Sequence, residues 1–372
     1  MGTIFGIQQN MKAIALVPHT KNVQLIDWPD PKIETPTQIK VKVLDVGICG
    51  TDREEVSGGR AVAPSGEKTL IIGHEMLGEV IQIGTGVKNF KPKDLVVIMV
   101  RRPCTECEMC KKGCSDMCSS GNYTERGIKQ RDGFHSQFVV DEEKYMILVP
   151  PGLRNLAVLT EPTTVVEKAI DFACRLQVAR LPVDPDPKKW LAGKKVLVAG
   201  LGPIGLLASM VLRLRGAHVT GIDVVNPHSL RPRILEEMGG KYVVAKEENT
   251  RGQKFDLIIE AAGVPKLDFE LIRFLVTNGV YVLTGVAGDG PPLSIDAAKM
   301  MRNLVLENQI VFGSVNAGIA HFRQAIDDLE DAEKKWTGTL QQLITSRTPY
   351  TQFADVLQKR KPDEIKAVID WT

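Results

Sequence analysis

The chain has 372 residues, 43% of them hydrophobic and 25% charged, with a net charge of +2. That length holds a substantial core, and with domains commonly running to about 100–200 residues two are expected. The near-neutral charge excludes an electrostatic nucleic-acid binder, and no stretch reaches the roughly 18 uninterrupted apolar residues of a membrane span, so neither nucleic acid nor membrane is an expected partner.

The start, MGTIFGIQQNMKAIALVPHT, has no basic segment leading into a long apolar run, and a cytoplasmic protein is expected. From Met11 the sequence reads as short strands between turn signals: KAIALV, TQIKVKVLDVG, GEVIQIG, DLVVIMV and SQFVVDEEKYMILVP. After Glu161 the period changes to a helical run, TTVVEKAIDFACRLQV, followed by LPVDPDPKKW, whose prolines read as a connecting loop. Next come the apolar strands KKVLVAG, HVTGIDV, KFDLIIEAAG and VYVLTGV, separated by helical segments such as GPIGLLASMVLRLRG and LDFELIRFLVTNG. Strand alternating with helix predicts a parallel α/β sheet. NLVLENQIVFGSV reads as a further strand, AHFRQAIDDLEDAEKKWTGTLQQLI as an amphipathic helix, and IKAVIDW as a closing strand.

Gly200-Leu201-Gly202-Pro203-Ile204-Gly205 follows the strand KKVLVA and opens a helix, the context in which a glycine-rich turn binds a dinucleotide. The first glycine permits the tight turn, the second lets backbone N–H groups approach a pyrophosphate, and the third allows close helix–strand packing. Asp223, at the end of the next strand, is suited to accept hydrogen bonds from the adenosine ribose and favours NAD. Arg231 and Arg233 on the following segment offer a 2′-phosphate two cations, so NADP stays open.

Five of the seven cysteines fall between Cys104 and Cys118, a clustering that points to metal rather than to a disulfide framework. Cys104, Cys107, Cys110 and Cys118 are spaced to present four thiolates to a tetrahedral structural zinc, with Cys114 off the pattern. A dispersed set of zinc-type ligands comprises Cys49, His74, Glu75 and Glu161. Thiolate, imidazole and carboxylate together suit a catalytic zinc that keeps a position open for substrate. His19, His135, His218, His228 and His321 lack metal spacing and are assigned to surface or packing.

Gly73-His74-Glu75, Cys49-Gly50-Thr51-Asp52, the four-cysteine lobe and Gly200 to Gly205 together resemble the zinc-containing medium-chain dehydrogenases over nearly the whole chain. Ile48 to Glu54, Glu125-Arg126-Gly127-Ile128, Asp132-Gly133-Phe134 and Gly313-Ser314-Val315-Asn316 resemble the archaeal and bacterial glucose dehydrogenases within that family. The resemblance implies an α/β protein with a GroES-like catalytic domain over 1–164, a Rossmann domain over 165–316, and a C-terminal return to the catalytic domain over 317–372. It implies zinc-dependent oxidation of an aldose to its lactone with NAD or NADP, another polyol, sugar or secondary alcohol being the alternative.

By the same resemblance Cys49, His74 and Glu75 surround the catalytic zinc, and Glu161 serves as ligand or as partner of water and substrate. Thr51 relays the substrate proton, while Glu125, Glu161 and Asn316 meet substrate hydroxyls. Thr284-Gly285-Val286 and Ser314-Val315-Asn316 line the nicotinamide half of the cofactor. Family members that bind glucose often carry Asn, Asp and His where this chain has Val100, Val165 and Leu306, which implies a less polar substrate wall here. Family members commonly form dimers or tetramers, and the strand read in NLVLENQIVFGSV offers an interface edge.

Overall fold

In the computed structural model, which describes residues 10–246, 252–288 and 290–372, the alternating segments of the first part of the chain are strands. The central strand Gln38–Gly47 pairs antiparallel with Glu75–Ile83, Phe138–Glu142 and Lys366–Asp370, so the closing segment of the sequence lies beside its early part. Leu95–Ile98 and Met146–Val149 extend the sheet beyond Glu75–Ile83, and Ile344–Pro349 extends it beyond Lys366–Asp370. A smaller sheet joins Val23–Pro29, Asn10–Leu16 and Leu70–Ile71.

Apolar residues recur at every second position on these strands because successive side chains point to opposite faces. Ile39, Val41 and Val43 are fully buried together with Ile14, Ile72, Val96, Phe134 and Ile369. The buried Asp141 carboxylate accepts hydrogen bonds from Arg126 Nε and Nη2 at 2.9 and 2.7 Å and is also bonded by Arg102. Burial pushes its pKa up, but the two guanidinium groups outweigh that and hold it down to about 2.

The middle of the chain forms a six-stranded sheet in the order Lys241–Val244, His218–Asp223, Lys195–Ala199, Phe255–Glu260, Leu275–Leu283, Ile310–Gly313, with every pairing parallel. Read in chain order this is 3-2-1-4-5-6, the doubly wound arrangement whose order reverses at Lys195–Ala199, where ligands bind at the carboxyl ends of the strands. The α/β class expected from the alternation of periods is therefore what the chain adopts.

Two compact units result. One takes the described residues up to Glu161 with Gly318–Ile326 and Ile344–Thr372, and the other takes Pro162–Ala317 with Asp327–Leu343. The first nine residues, the subject of the reading about the chain's start, lie outside the described residues. Among the described residues no helix is long and apolar enough to cross a membrane.

Two readings are corrected. NLVLENQIVFGSV is not one strand: its first part completes the helix Ala297–Leu306, and only Ile310–Gly313 is strand. Asp296 caps that helix through Lys299 N–H at 3.1 Å, and Asn308 turns left-handed at φ 48° to end it. LDFELIRFLVTNG likewise is helix only to Leu271; a 3₁₀ turn, Ile272–Phe274, leads into the strand at Leu275.

Candidate metal and cofactor sites

Cys49 caps the short helix Gly50–Val56, and Glu75 begins the strand Glu75–Ile83, directly after His74. Gly47 pairs with Glu75 across the sheet, which brings the two segments together. The ligand atoms of Cys49, His74 and Glu75 all lie within 4.8 Å of one another.

Asp52, three residues into the same helix, accepts the Cys49 N–H at 2.7 Å, and its other oxygen stands 3.3 Å from His74 Nδ1. It is completely buried, as befits a residue that orients an imidazole and fixes which ring nitrogen faces the ligand. Lys366 from the closing strand donates to Glu75 Oε1 at 2.7 Å, to Oε2 at 2.6 Å and to the Ile48 carbonyl at 3.2 Å. Both side chains are buried, so the ammonium is the principal compensation for the Glu75 charge.

The field of this cluster favours a cation at its centre. Burial alone would push the His74 pKa down, yet Asp52 and Cys49 lift it well above the usual imidazole range. Glu161, in the first turn of the helix Thr160–Arg180, is pushed up to about 7 by burial, with Glu75 adding to the rise and His74 opposing it. Glu161 thus sits within electrostatic reach of the cluster but outside its group of closely spaced ligand atoms. Thr51 is half-buried in the first turn of the helix that Cys49 caps.

Cys104, Cys107, Cys110 and Cys118 converge in the same way, their sulfurs within 4.8 Å of one another. Sulfurs bound at about 2.3 Å on tetrahedral corners stand about 3.8 Å apart, and Cys107 and Cys118 show that separation, 3.8 Å. Backbone N–H groups of Cys107 and Cys110 donate to the Cys104 and Cys107 sulfurs at 3.4 Å each. The Cys110 N–H is the main reason the Cys107 thiol is pushed down to about 5, and the Ser120 hydroxyl lowers Cys118 to about 7. Donors aimed at sulfur stabilise thiolate, the form a metal takes, whereas burial pushes the Cys110 thiol up to about 12. Cys114 is exposed and outside the group.

Glu125 lies on a short strand opposite Arg101, whose Nε and Nη2 reach Glu125 Oε1 at 3.0 and 2.9 Å. Arg101 Nη1 also donates to the Asp116 carbonyl at 3.0 Å, tying Glu125 to the cysteine lobe. Val100, next to Arg101, is buried.

In the other unit, Gly200 takes φ +86°, and a Cβ on Gly205 would fall 1.8 Å from the Gly200 carbonyl oxygen, so the turn and the helix Pro203–Leu214 close on each other only with glycine there. Asp223 ends its strand with Oδ2 accepting Leu201 N–H at 2.8 Å and Oδ1 accepting Val224 N–H at 2.6 Å. Arg231 Nη1 stands 3.6 Å from the same Oδ2, whereas Arg233 turns to Glu237 and Gln342. The two arginines that were equivalent in the sequence are thereby separated.

Thr284 Oγ1 donates to the Glu260 carbonyl at 2.6 Å, and Val286 and Val315 are largely exposed at the strand ends. Asn316 is left-handed at φ +58° with its Oδ1 on Ala317 N–H at 2.7 Å, and Lys168 Nζ donates to the Val315 carbonyl at 3.0 Å. Ser314 Oγ is buried, and its backbone N–H reaches the Leu283 carbonyl at 2.9 Å. Val165 is half-buried on its helix, and Leu306 is exposed.

Asp52 and Lys366 are the two site residues the sequence reading passed over. Asp52 carried a local signal, its place three residues after a helix cap. Lys366 carried none, because only the pairing of Lys366–Asp370 with Gln38–Gly47 brings it to Glu75.

Residues 35–151 match the family described as alcohol dehydrogenase GroES-like domain, and residues 154–371 match glucose dehydrogenase C-terminus. The chain is 39% identical to a glucose 1-dehydrogenase of Thermoproteus tenax over 96% of this chain and 99% of that one. It is 37% identical to glucose 1-dehydrogenase 2 of Vulcanisaeta moutnovskia over 97% and 99% of the two chains. Among solved structures, Haloferax mediterranei glucose dehydrogenase in complex with NADP, Zn and gluconolactone superposes with a TM-score of 0.85 at 30% identity, covering 97% of this chain and 99% of that one.

Proposed function

The chain belongs to the glucose dehydrogenase branch of the zinc-containing medium-chain dehydrogenases, and from that premise we propose that it oxidises the C1 hydroxyl of a glucose-like aldose to the lactone. The substrate gives up a hydride and a proton, so that aldose and oxidised NAD or NADP become lactone, reduced cofactor and H⁺. The observation that carries the reading is the buried Cys49–His74–Glu75 group, whose ligand atoms gather within 4.8 Å under a field that favours a cation.

A zinc ion held there supplies Lewis-acid lowering of the substrate hydroxyl pKa, and the nicotinamide supplies the hydride acceptor. The residues of the chain do the rest. Asp52 orients His74 so that Nε2 is its ligand atom, and Lys366 holds Glu75 in place and offsets its charge. Burial pushes the Glu161 carboxyl up to about 7, and a cation at Cys49, His74 and Glu75 would draw it back down, so that Glu161 would serve as a carboxylate facing the substrate hydroxyl or water. Thr51 relays the proton leaving the substrate hydroxyl, and Glu125, fixed by Arg101, accepts from the sugar. Cys104, Cys107, Cys110 and Cys118 hold a structural zinc.

Gly200 to Gly205 cradle the pyrophosphate and Asp223 the adenosine ribose, while Thr284 to Val286 and Ser314 to Asn316 border the nicotinamide. Arg231, 3.6 Å from Asp223, would bring a cation beside a 2′-phosphate, which supports use of NADP as well as NAD. Formation of a homo-oligomer belongs to the same reading: Ile310–Gly313 is an edge strand, and Val305 on the adjoining helix is 75% exposed. A cytoplasmic setting suits its two thiolate sites.

The apolar Val100, Val165 and Leu306 favour a second reading, oxidation of a less polar sugar, polyol or secondary alcohol by the same machinery. Initial rates of NAD and NADP reduction with glucose, galactose, xylose, sorbitol, threonine and ethanol separate the two. Highest kcat/KM on an aldose is the expected result; turnover confined to sorbitol, threonine or ethanol overturns the aldose reading.

A further inference from the structure

Glu260 ends the central strand Phe255–Glu260 with its side chain completely buried at the carboxyl edge of the sheet. Its Oε1 accepts the N–H groups of Ala262 and Gly263 at 2.6 Å each, and its Oε2 accepts the Gly285 N–H at 3.2 Å. Its own carbonyl receives Thr284 N–H at 2.9 Å and Thr284 Oγ1 at 2.6 Å. One residue therefore ties together the turns that follow two neighbouring strands.

The third turn of the edge packs on the same point. A Cβ on Gly285 would stand 2.4 Å from Gly263 N and 2.7 Å from Glu260 Oε2, and a Cβ on Gly200 would stand 2.9 Å from Ala262 Cα. Behind the carboxylate, Asp268 is pushed up to about 6 by burial and by the Glu260 charge, and the Tyr281 hydroxyl is buried nearby. Burying a carboxylate is costly, and three backbone N–H donors offset that cost while fixing the two turns that carry them.

We propose that Glu260 is a positioning residue for the cofactor, a buried carboxylate that locks the Ala261–Gly263 and Thr284–Gly285 turns into the floor on which the nicotinamide end of the dinucleotide rests. The inference rests on the dinucleotide reading above. A carboxamide at this place can still accept N–H groups with its oxygen but turns an NH₂ toward Gly285 N–H, setting donor against donor.

The test is direct binding of NADPH and NADH, followed by nicotinamide fluorescence, and of ADP-ribose, followed by calorimetry, to zinc-loaded wild-type protein and Glu260→Gln. ADP-ribose lacks the nicotinamide and engages only the Gly200 turn and Asp223. The expected result is that Glu260→Gln weakens the reduced dinucleotides about tenfold or more, the worth of one charge-assisted hydrogen bond, and ADP-ribose less than about twofold. Equal weakening of both ligands, or no weakening of either, overturns the proposal. Should Glu260→Gln fail to fold, Glu260→Asp keeps the charge but draws it back from Gly285 N–H, and the same selective loss, about threefold, is expected. Wild-type protein that binds neither ligand overturns the dinucleotide reading along with this one; a wild type that binds both leaves the variant to decide.

Discussion

Replacing Cys49 by alanine is expected to lower kcat/KM for the aldose about 10³-fold or more while the zinc content falls from about two to about one per chain, because several kcal/mol of Lewis-acid stabilisation leaves with the ion. The variant is informative because the sulfur alone is removed. The Cys49 N–H still donates to Asp52, so the helix Gly50–Val56 keeps its start. The four sulfurs of the lobe are untouched, so the ion proposed there should stay. Metal analysis and steady-state rates on one preparation check both halves. Unchanged zinc content with unchanged rates would remove Cys49 from the site.

Lys366→Met is expected to have the second-largest effect, this time on stability. The substitution conserves the length of the side chain but strands a buried Glu75 carboxylate whose two oxygens now face the ammonium. Removing one partner of a buried pair costs about 3–5 kcal/mol, which for a domain of this size is a fall in melting temperature on the order of 10 °C. Added zinc should recover part of the loss, since a cation at the cluster takes over the neutralisation of Glu75. Glu75→Gln placed on the Lys366→Met background should recover stability without zinc, because the stranded charge is gone. Scanning calorimetry of the zinc-free and zinc-loaded variants measures this. A melting temperature indifferent to Lys366→Met would mean that the ammonium does not carry the charge of Glu75.

Much of this was legible in residues close together along the chain. The phosphate turn could be read because Gly200 to Gly205 sit between a strand and a helix that each announce themselves by period. The cysteine lobe could be read because its four sulfurs lie within one short segment. The Cys49, His74 and Glu75 cluster needed residue types recognised across separate segments, and the sheet pairing of Gly47 with Glu75 then explains their meeting.

The remainder depended on contacts across long sequence separations or on competition between local signals. Lys366 and Glu75 are 291 residues apart, and nothing in either neighbourhood names the other. Arg231 and Arg233 differ only in the direction a helix gives them, one toward Asp223 and the other toward Glu237. Asn303 to Leu306 was read as strand because its apolar run continues into Ile310–Gly313. Met, Leu and Arg are good helix formers, however, and Asp296 supplies a cap, so the helix prevails until Asn308 breaks it. Glu260 lies inside the strand segment KFDLIIEAAG with no local signal of its own; its part in holding two turns emerges only when Ala262, Gly263 and Gly285 are seen to donate to it.

The most direct test of the central claim is a single-turnover experiment with zinc-loaded protein, oxidised cofactor and glucose carrying deuterium at C1. Hydride transfer from C1 places the label on C4 of the reduced nicotinamide, slows the transfer relative to unlabelled glucose and leaves gluconolactone as the product, and that is the result expected here. Reduced cofactor that carries no deuterium, or none formed at all while another alcohol is oxidised, would contradict it.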